Sequence, residues 1–233
     1  HPSGNVGVQI HHTSPINKGE IVWTIDMQSI VILGRLFASG RVDMTKIVAL
    51  SGSLVKKPRY HRIINGAKIS SIVANNVDSS VEPRFISGNP LTGLKVASDD
   101  YISFYSNQVS IIPEGNHYEF LGWIAPRVNK FSVSRSYFSW LTPSKKYALD
   151  TNLNGGVRAY VMTGEYEKVL PMDIYPVYLL KAILAGDIDK MENLGIYEVI
   201  EEDLALCEFV CTSKSPVQQI VRSGIDIMIK ELS

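Results

Sequence analysis

The C-terminal part of the chain has the regular spacing of apolar residues that amphipathic helices show. Across residues 171–233, apolar side chains recur at every third or fourth position, with polar residues between them. Helix-starting residues precede each apolar run: the predicted helices begin at Asp173, Asp187, Glu201 and Ser215. Four helices with short links and apolar inner faces predict a small bundle that packs on another surface.

The N-terminal part follows a different pattern. Residues 20–25 alternate β-branched and aromatic residues and predict a short strand. Asp26 is placed to cap a helix that ends at Gly40, and the apolar run over residues 45–52 predicts a second strand. A strand, a helix and a strand at this spacing favour a parallel pair, so residues 1–55 are interpreted as the last piece of an α/β domain.

Residues 56–115 predict a small α+β domain of the ubiquitin-like kind. A turn is expected at Asn65-Gly66 and a short helix over Ile69–Ala74. The strand candidates are residues 59–64, Arg84–Ser87, Tyr101–Tyr105 and Val109–Ile112. About four strands around one short helix are typical of that fold.

Residues 116–170 predict a long connection with little regular structure. The runs EFLGWIAP and VRAYVMTG look extended, and Asn154-Gly155-Gly156 indicates a turn. The stretch Lys130–Lys146 mixes basic residues with Phe131, Tyr137, Phe138 and Trp140. Such a mixture indicates either an interface or core packing, and the pattern favours neither of the two.

Composition excludes several classes of protein. The 233 residues include 23 basic and 23 acidic side chains, a balance that argues against a nucleic-acid-binding protein. Hydrophobic residues make up 45% of the chain, which argues against global disorder, and two cysteines exclude a disulfide-rich framework. Neither a membrane-spanning run nor a signal peptide is visible in the sequence. Because the chain begins at His1-Pro2, we interpret it as a fragment of a longer protein.

The residues that attract metal or redox chemistry give weak signals. Adjacent histidines point in different directions, so His11-His12 is interpreted as a surface or interface pair in a loop. Cys207 and Cys211 would lie on one helical face and could bind a metal or respond to oxidation. Two thiolates cannot complete an iron–sulfur site, and the apolar neighbours favour buried core cysteines.

No catalytic centre is visible in the sequence. The run GNPLTG at residues 88–93 lacks the spacing of phosphate-binding loops and is interpreted as a structural turn. The adjacent carboxylates of residues 201–203 and of Asp99-Asp100 are expected to be solvated, which is not a catalytic geometry. His61 and His117 are isolated and receive no role. No catalytic, cofactor-binding or metal-ligating residue is therefore assigned.

Long segments of the chain nevertheless resemble a known family. They are HPSGNVGVQIHH, VWTIDMQSIVILGRLFASGR, IVALSG, FLGWIAP, LNGGVRAYVMTGEYEKVLPMDIYP, LLKAILAGD and EEDLALCEFVC. Together they resemble the C-terminal part of NqrA, one of the subunits of the bacterial Na+-translocating NADH:quinone oxidoreductases. Family members are about twice as long as this chain, so the resemblance implies that residue 1 falls inside a parent chain.

The resemblance implies an α+β fold with a definite order of parts. Residues 1–55 would end a Rossmann-like domain, and residues 56–115 would form a β-grasp domain of the soluble-ligand-binding (SLBB) type. Residues 116–170 would connect this domain to a helical domain over residues 171–233 that lacks an iron–sulfur cluster. Related respiratory proteins carry cluster-binding cysteines there, but Cys207 and Cys211 do not provide that set.

The resemblance also implies a role in a respiratory complex. The complex transfers electrons from NADH to ubiquinone and couples this reaction to Na+ export. NqrA would be peripheral, on the cytoplasmic face of the bacterial inner membrane, interacting with quinone and docking onto the membrane subunits. NAD and flavin would be bound by other subunits, and no cofactor or metal by this fragment. Its partners would be the other members of a six-subunit complex and quinone, with membrane contact through partner subunits only.

Two other functions remain open from the sequence. A non-catalytic module could bind a small soluble ligand through the β-grasp domain, in a pocket around Gly88–Gly93. A flavin- or NAD-dependent enzyme on the same scaffold would need a phosphate-binding glycine loop, which the sequence does not contain.

Overall fold

The computed structural model describes residues 2–122, 124, 127–133, 135–161 and 163–232. The chain divides into two compact units by its internal contacts. One unit combines residues 1–24 with residues 155–233, and the other consists of residues 25–154. We call the first the helical unit and the second the sheet unit. The mixed α+β fold class is thereby confirmed.

Seven α-helices and five β-strands occur among the described residues. The helices are α1 (Val6–Thr13), α2 (Met27–Ser39), α3 (Ile69–Val73), α4 (Pro176–Ala185), α5 (Ile188–Asn193), α6 (Ala205–Val210) and α7 (Val217–Leu232). The strands are β1 (Thr45–Ser51), β2 (Arg59–Ile64), β3 (Pro83–Ser87), β4 (Leu94–Val96) and β5 (Gln108–Pro113). None of the described helices is long and apolar enough to cross a membrane.

The five strands form one mixed sheet in the order β2-β1-β5-β3-β4. The central pair β1 and β5 is parallel, and the other neighbouring pairs are antiparallel. Helix α3 packs its buried residues Ile69 and Ile72 against one face of the sheet, where they meet Val48, Leu50 and Ile111. Burial of these aliphatic side chains is the main stabilising contribution to this unit.

The strand predicted over residues 20–25 is wrong. Residues 20–26 have no regular structure, and Trp23 is 92% exposed. The parallel strand–helix–strand unit is therefore also wrong, because β1 lies between β2 and β5 instead. β-Branched and aromatic residues favour a strand only where a neighbouring strand accepts its hydrogen bonds.

The strand predicted over Tyr101–Tyr105 is also wrong, and β4 is not predicted. Tyr101 forms one isolated bridge with Lys68, and the chain then turns. The physical reason lies in Lys46, whose ammonium group donates to the carbonyl oxygens of Phe104 and Ser106 at 2.8 and 2.9 Å. Carbonyl groups bound to this lysine are not available to a strand ladder. The other predicted strands and α3 are confirmed.

Helix α2 forms as its end signals predict. The Asp26 carboxylate accepts hydrogen bonds from the backbone N–H groups of Gln28 and Ser29, and Gly40 ends the helix at a φ of 67°. The Gln28 amide pairs with both the N–H and the C=O of Ile47 in β1, each at 2.7 Å. No described residue of α2 is buried. Polar contacts therefore hold this helix beside β1, and its apolar side chains remain exposed.

The helical unit is built around α4, α6 and α7, and the four helices predicted after residue 171 are confirmed. Leu179, Leu180, Leu204, Val217 and Val221 are fully buried in its core. A predicted detail is wrong, because Asp173 does not cap α4: Tyr175 occupies the cap position without a side-chain hydrogen bond. The third predicted helix starts as a turn of 3-10 helix over Glu201–Leu204 before α6 begins.

Helix α1 belongs to the helical unit and is not predicted from the sequence. Its residue Val8 is 2% exposed and packs in the core that α4 and α7 form. Residues 1–55, interpreted as one domain piece, are thus shared between the two units. The domain boundaries at residues 55, 115 and 170 stay predictions.

The connection over residues 116–170 returns to the end of β5. The N–H of Gly115 donates to Thr151 Oγ1 at 2.8 Å, and Thr151 donates to the Glu114 carboxylate at 2.9 Å. No strand occurs among the described residues of the two runs predicted to be extended. Residues 123, 125, 126 and 162 of those runs lie outside the described part of the chain.

Candidate functional site

The two cysteines lie in the core of the helical unit. Cys207 is 0% and Cys211 1% exposed, so their interpretation as buried core cysteines is confirmed. Cys211 comes directly after α6, and its sulfur accepts hydrogen bonds from Tyr166 Oη at 2.9 Å and from the N–H of Ser215 at 3.3 Å. Tyr160 lies beside this group, with its ring centroid 6.0 Å from that of Tyr166.

The environments of the two thiols shift their pKa values in opposite directions. Burial raises the pKa of Cys207 to about 12, which keeps this thiol neutral. Burial also opposes ionisation of Cys211, but hydrogen bonds from Tyr166 and from the backbone of Ser215 and Ser213 outweigh it and lower its pKa. Burial is the main cause that raises the pKa of Tyr166.

This group of residues has no visible catalytic or metal-binding capacity. Within the described ranges, no three His, Cys, Asp or Glu side chains are close enough together to hold a metal ion. A thiol needs access to solvent as well as a low pKa to react, and both sulfurs are enclosed. The hydrogen bonds to Cys211 instead join residue 166, the end of α6 and the start of α7.

The His11-His12 pair lies in helix α1 and not in a loop, which corrects the sequence interpretation. Both ring nitrogens of His11 are engaged: Nδ1 is 2.7 Å from the Glu198 carboxylate, and Nε2 accepts from the N–H of Asp173 at 3.0 Å. This arrangement requires the neutral ring with its proton on Nδ1. His12 Nε2 is 2.7 Å from the carbonyl oxygen of Pro171. The pair therefore attaches α1 to the rest of its unit.

Asp203 is buried, so the expectation that all three carboxylates of residues 201–203 are solvated is wrong. It is 1% exposed, and a Cβ atom added to Gly7 would lie 1.9 Å from its carboxylate oxygen. The carboxylate accepts from the N–H of Ile200 at 3.3 Å and faces the first turn of α1. Burial raises its pKa. Since the partner is a glycine nearly 200 positions away, spacing along the chain could not reveal this contact.

Lys46 is a second buried charge that the sequence interpretation missed. It is only 4% exposed, although its neighbours along β1 alternate as in any half-buried strand. Burial lowers its pKa, and the nearby Asp26 carboxylate acts in the opposite direction. The one available signal was its place on the same strand face as Val48 and Leu50.

The GNPLTG turn is structural, as the sequence predicts. The Asn89 side chain accepts hydrogen bonds from the N–H groups of Leu91 and Thr92 and donates to Thr92 Oγ1 at 2.7 Å. A Cβ atom on Gly93 would lie 2.6 Å from the carbonyl oxygen of Asn89. The turn is thus packed against itself.

A shallow cleft of about 540 Å³ lies at another place in the sheet unit. Its walls are residues 61–68, which include the end of β2, together with Ser71 and Ile72 of α3 and Tyr101. His61 is part of this wall, and burial together with the nearby Arg59 lowers its pKa. Backbone, aliphatic and cationic groups line the cleft, and no carboxylate is among them.

Large apolar side chains are exposed in two segments. In and beside α2, Met27 is 83% and Phe37 86% exposed. In the connection, Tyr118 is 93%, Phe138 51% and Trp140 52% exposed. Exposed apolar side chains in this number are typical of interaction surfaces. In the Lys130–Lys146 stretch, the exposure of Phe138 and Trp140 favours an interface over core packing.

Comparison with known proteins identifies the family. The model described as the NqrA second alpha/beta domain matches residues 1–42, and the SLBB model described as the NQRA C-terminal domain matches residues 47–98. The corresponding protein of the Na(+)-translocating NADH-quinone reductase is 42% identical in Neisseria meningitidis serogroup C, 43% in Pasteurella multocida and 40% in Rhodopirellula baltica. These alignments each include 232 residues and 99% of this chain.

The chain belongs to the NqrA family of Na(+)-translocating NADH-quinone reductase subunits. The resemblance found in the sequence is thereby confirmed. The chain spans about half the length of the curated relatives it matches, 52% of the first two named above. The SLBB match of this NqrA chain runs from β1 to just beyond β4 and includes α3.

Proposed function

We propose that the chain acts as a peripheral, non-catalytic part of a Na+-translocating NADH:quinone reductase. It contributes to reduction of ubiquinone, coupled to Na+ export, by interacting with quinone and by docking onto the membrane subunits. NAD and flavin are bound by other members of a six-subunit complex at the cytoplasmic face of the inner membrane. The observation that carries the proposal is the alignment of 232 residues with NqrA relatives.

The structure supports a docking role through its exposed apolar segments. Phe37 of α2 and Trp140 of the connection expose 86% and 52% of their surface. Large apolar groups are stabilised by transfer from water into an interface, at about 25 cal/mol per Å² of buried area. The buried ionisable groups Asp203, Lys46 and Cys211 each serve an internal contact, which fits a component without a reaction centre.

Docking is tested by sedimentation with membranes. Membranes that contain the other subunits of a relative's complex, but lack NqrA, are mixed with the purified chain and pelleted. We expect the chain to pellet with these membranes and to stay in the supernatant with membranes that lack the whole complex. Equal amounts in both pellets would contradict a docking role. Phe37→Ser is the informative variant, and Ser39→Ala at the end of the same helix is its control.

Interaction with quinone is tested by tryptophan fluorescence. Trp23 and Trp140 are exposed, and Trp123 lies outside the described residues. A short-chain ubiquinone is expected to quench the fluorescence in a saturable way, beyond an inert quencher of the same absorbance. Linear quenching equal to that control would argue against a quinone-contacting surface in this half of NqrA.

The alternative, a β-grasp module that binds a soluble ligand around Gly88–Gly93, has less support. That turn is filled by its own hydrogen bonds, and Gly93 is in close contact with Asn89. The glycine loop that a flavin or NAD enzyme would need is absent from the sequence. The docking role therefore remains the proposal.

A further inference from the structure

The segment around β2 concentrates positive charge in a chain whose net charge is zero. Residues 56–68 contain five cationic side chains and no acidic one. They are Lys56, Lys57, Arg59, Arg62 and Lys68. In the described part of the chain only Lys68 of these five forms an ion pair, with Asp99 at 2.9 Å. The other four cations therefore project an uncompensated positive potential from one side of the sheet.

Strand β2 is also an edge of the sheet. It pairs with β1 through all six of its residues, and no strand follows it in the sheet order of the described residues. The amide and carbonyl groups of an edge strand that point away from its neighbour form a template for another strand. Tyr60 and Ile64 expose 79% and 70% of their surface on this strand.

The cleft described above begins where β2 ends. Residues 61–68 form one wall, and Ile72 and Tyr101 add apolar surface. A strand lying along β2 would direct every second side chain to the face that holds this cleft. The cleft of about 540 Å³ is large enough to accept such a side chain.

We propose that the free edge of β2 binds an acidic polypeptide segment in extended conformation, which adds to the sheet as a sixth strand. Backbone hydrogen bonds to β2 supply the pairing, and the cations at residues 56–62 select carboxylate side chains. A second copy of β2 does not fit, because Arg59 and Arg62 would lie near their own counterparts. This inference is independent of the proposed respiratory function.

The experiment follows backbone amide signals of the full 15N-labelled chain by NMR. The probe is the acetylated and amidated peptide Glu-Val-Glu-Val-Glu-Val. We expect saturable shifts in residues 59–64 that weaken as salt is added, because exposed charges are screened. The same peptide with alternate amide nitrogens methylated loses strand hydrogen bonds and is expected not to bind. A peptide with Lys in place of Glu is expected not to bind either.

Two variants test the part played by the cations. Arg59→Glu combined with Arg62→Glu is expected to weaken binding at least about tenfold, which corresponds to about 1.4 kcal/mol. Arg41→Glu changes an exposed cation outside β2 and is expected to leave the affinity unchanged. Both arginines of β2 are exposed, and the dispersion of the NMR signals shows whether the variant is folded.

Three results would overturn the proposal. The first is equal binding of the methylated peptide, which would mean that charge alone attracts it. The second is concentration-dependent dimerisation through β2 without peptide. The third is binding to vesicles that contain phosphatidylglycerol, lost in the double variant, together with no response to the acidic peptide. That last result would assign the basic edge to an anionic membrane surface.

Discussion

The sheet unit and the helical unit are closed by different kinds of contact. The sheet unit is one continuous stretch, residues 25–154, in which α3 covers strands close to it in sequence. The helical unit joins residues from both ends of the chain, with Asn5 bound to the carbonyl of Glu202 at 3.0 Å and Lys18 to Glu192 at 2.7 Å. A segment remote in sequence thus completes the helical core, which makes its polar contacts as decisive as its apolar ones.

The largest expected effect tests whether the two units are independent. Leu180→Ala removes a fully buried side chain from the helical core and is expected to lower the free energy of unfolding by about 2–5 kcal/mol. Hydrogen exchange read by mass spectrometry should then accelerate in α1, α4 and α7 and remain unchanged in β1–β5. Ile111→Ala is the matched change in the sheet unit and should give the reverse pattern. Equal acceleration in both units would mean that they unfold together.

A smaller effect tests the remote contact between α1 and Asp203. Gly7→Ala places a methyl group 1.9 Å from the Asp203 carboxylate oxygen, so one element must shift, at a cost of about 1–3 kcal/mol. Gly4→Ala is the control, because nothing lies within 4 Å of its added Cβ. Urea unfolding followed by circular dichroism measures both. If the two variants were equally stable, the close approach of α1 to Asp203 would be refuted.

The sheet unit has its own polar contact to test, around Glu114. Hydrogen bonds from Arg84, and from Lys95 and Thr151, lower the pKa of Glu114 from 4.5 to about 2. A lowered pKa in the folded state stabilises it above pH 4.5, and this stabilisation is lost as the pH falls towards 2.

Glu114→Gln is therefore expected to cost about 1–2 kcal/mol at neutral pH, after allowance for solvent screening, and nothing at pH 2. Unfolding by urea at several pH values measures the difference. Glu82→Gln, an exposed acid before β3, is the control. A cost that persists unchanged at pH 2 would assign the effect to packing and not to charge.

The smallest expected effect concerns the thiol of Cys211. Tyr166→Phe removes the O–H group that donates to this sulfur, so the pKa of Cys211 is expected to rise. The loss in stability should be about 1 kcal/mol, the usual net contribution of one hydrogen bond. The 13Cβ chemical shift of Cys211 as a function of pH reports its ionisation. Tyr178→Phe at a half-exposed site is the control, and an unchanged titration of Cys211 would remove Tyr166 as the cause.

Features with local signals could be predicted from the sequence. The cap at Asp26 and the glycine at residue 40 bound α2, and Gly186 ends α4 in the left-handed conformation expected of it. The turn at residues 88–93 is closed by Asn89 alone. Each depends on atoms a few positions apart, so the residue types at those positions suffice.

The polar groups that matter most to each unit could not be found in this way. Asp203 looks like one of three solvated acids until the fold places Gly7 against it. Lys46 looks like a surface residue until the loop at residues 104–106 brings two carbonyl oxygens to its ammonium group. Sequence spacing reports which face a residue occupies, but not which distant backbone group will meet it.

By itself, the sequence determined the family, most of the helices and strands, and the burial of the two cysteines. Tertiary structure decided that residues 1–24 pack with the C-terminal helices, that residues 20–25 form no strand and that β1 joins the sheet of residues 59–113. The physical reason is the range of the forces involved. Helix caps and tight turns are completed within a few residues, whereas a strand exists only beside another strand and a buried charge only beside its partner.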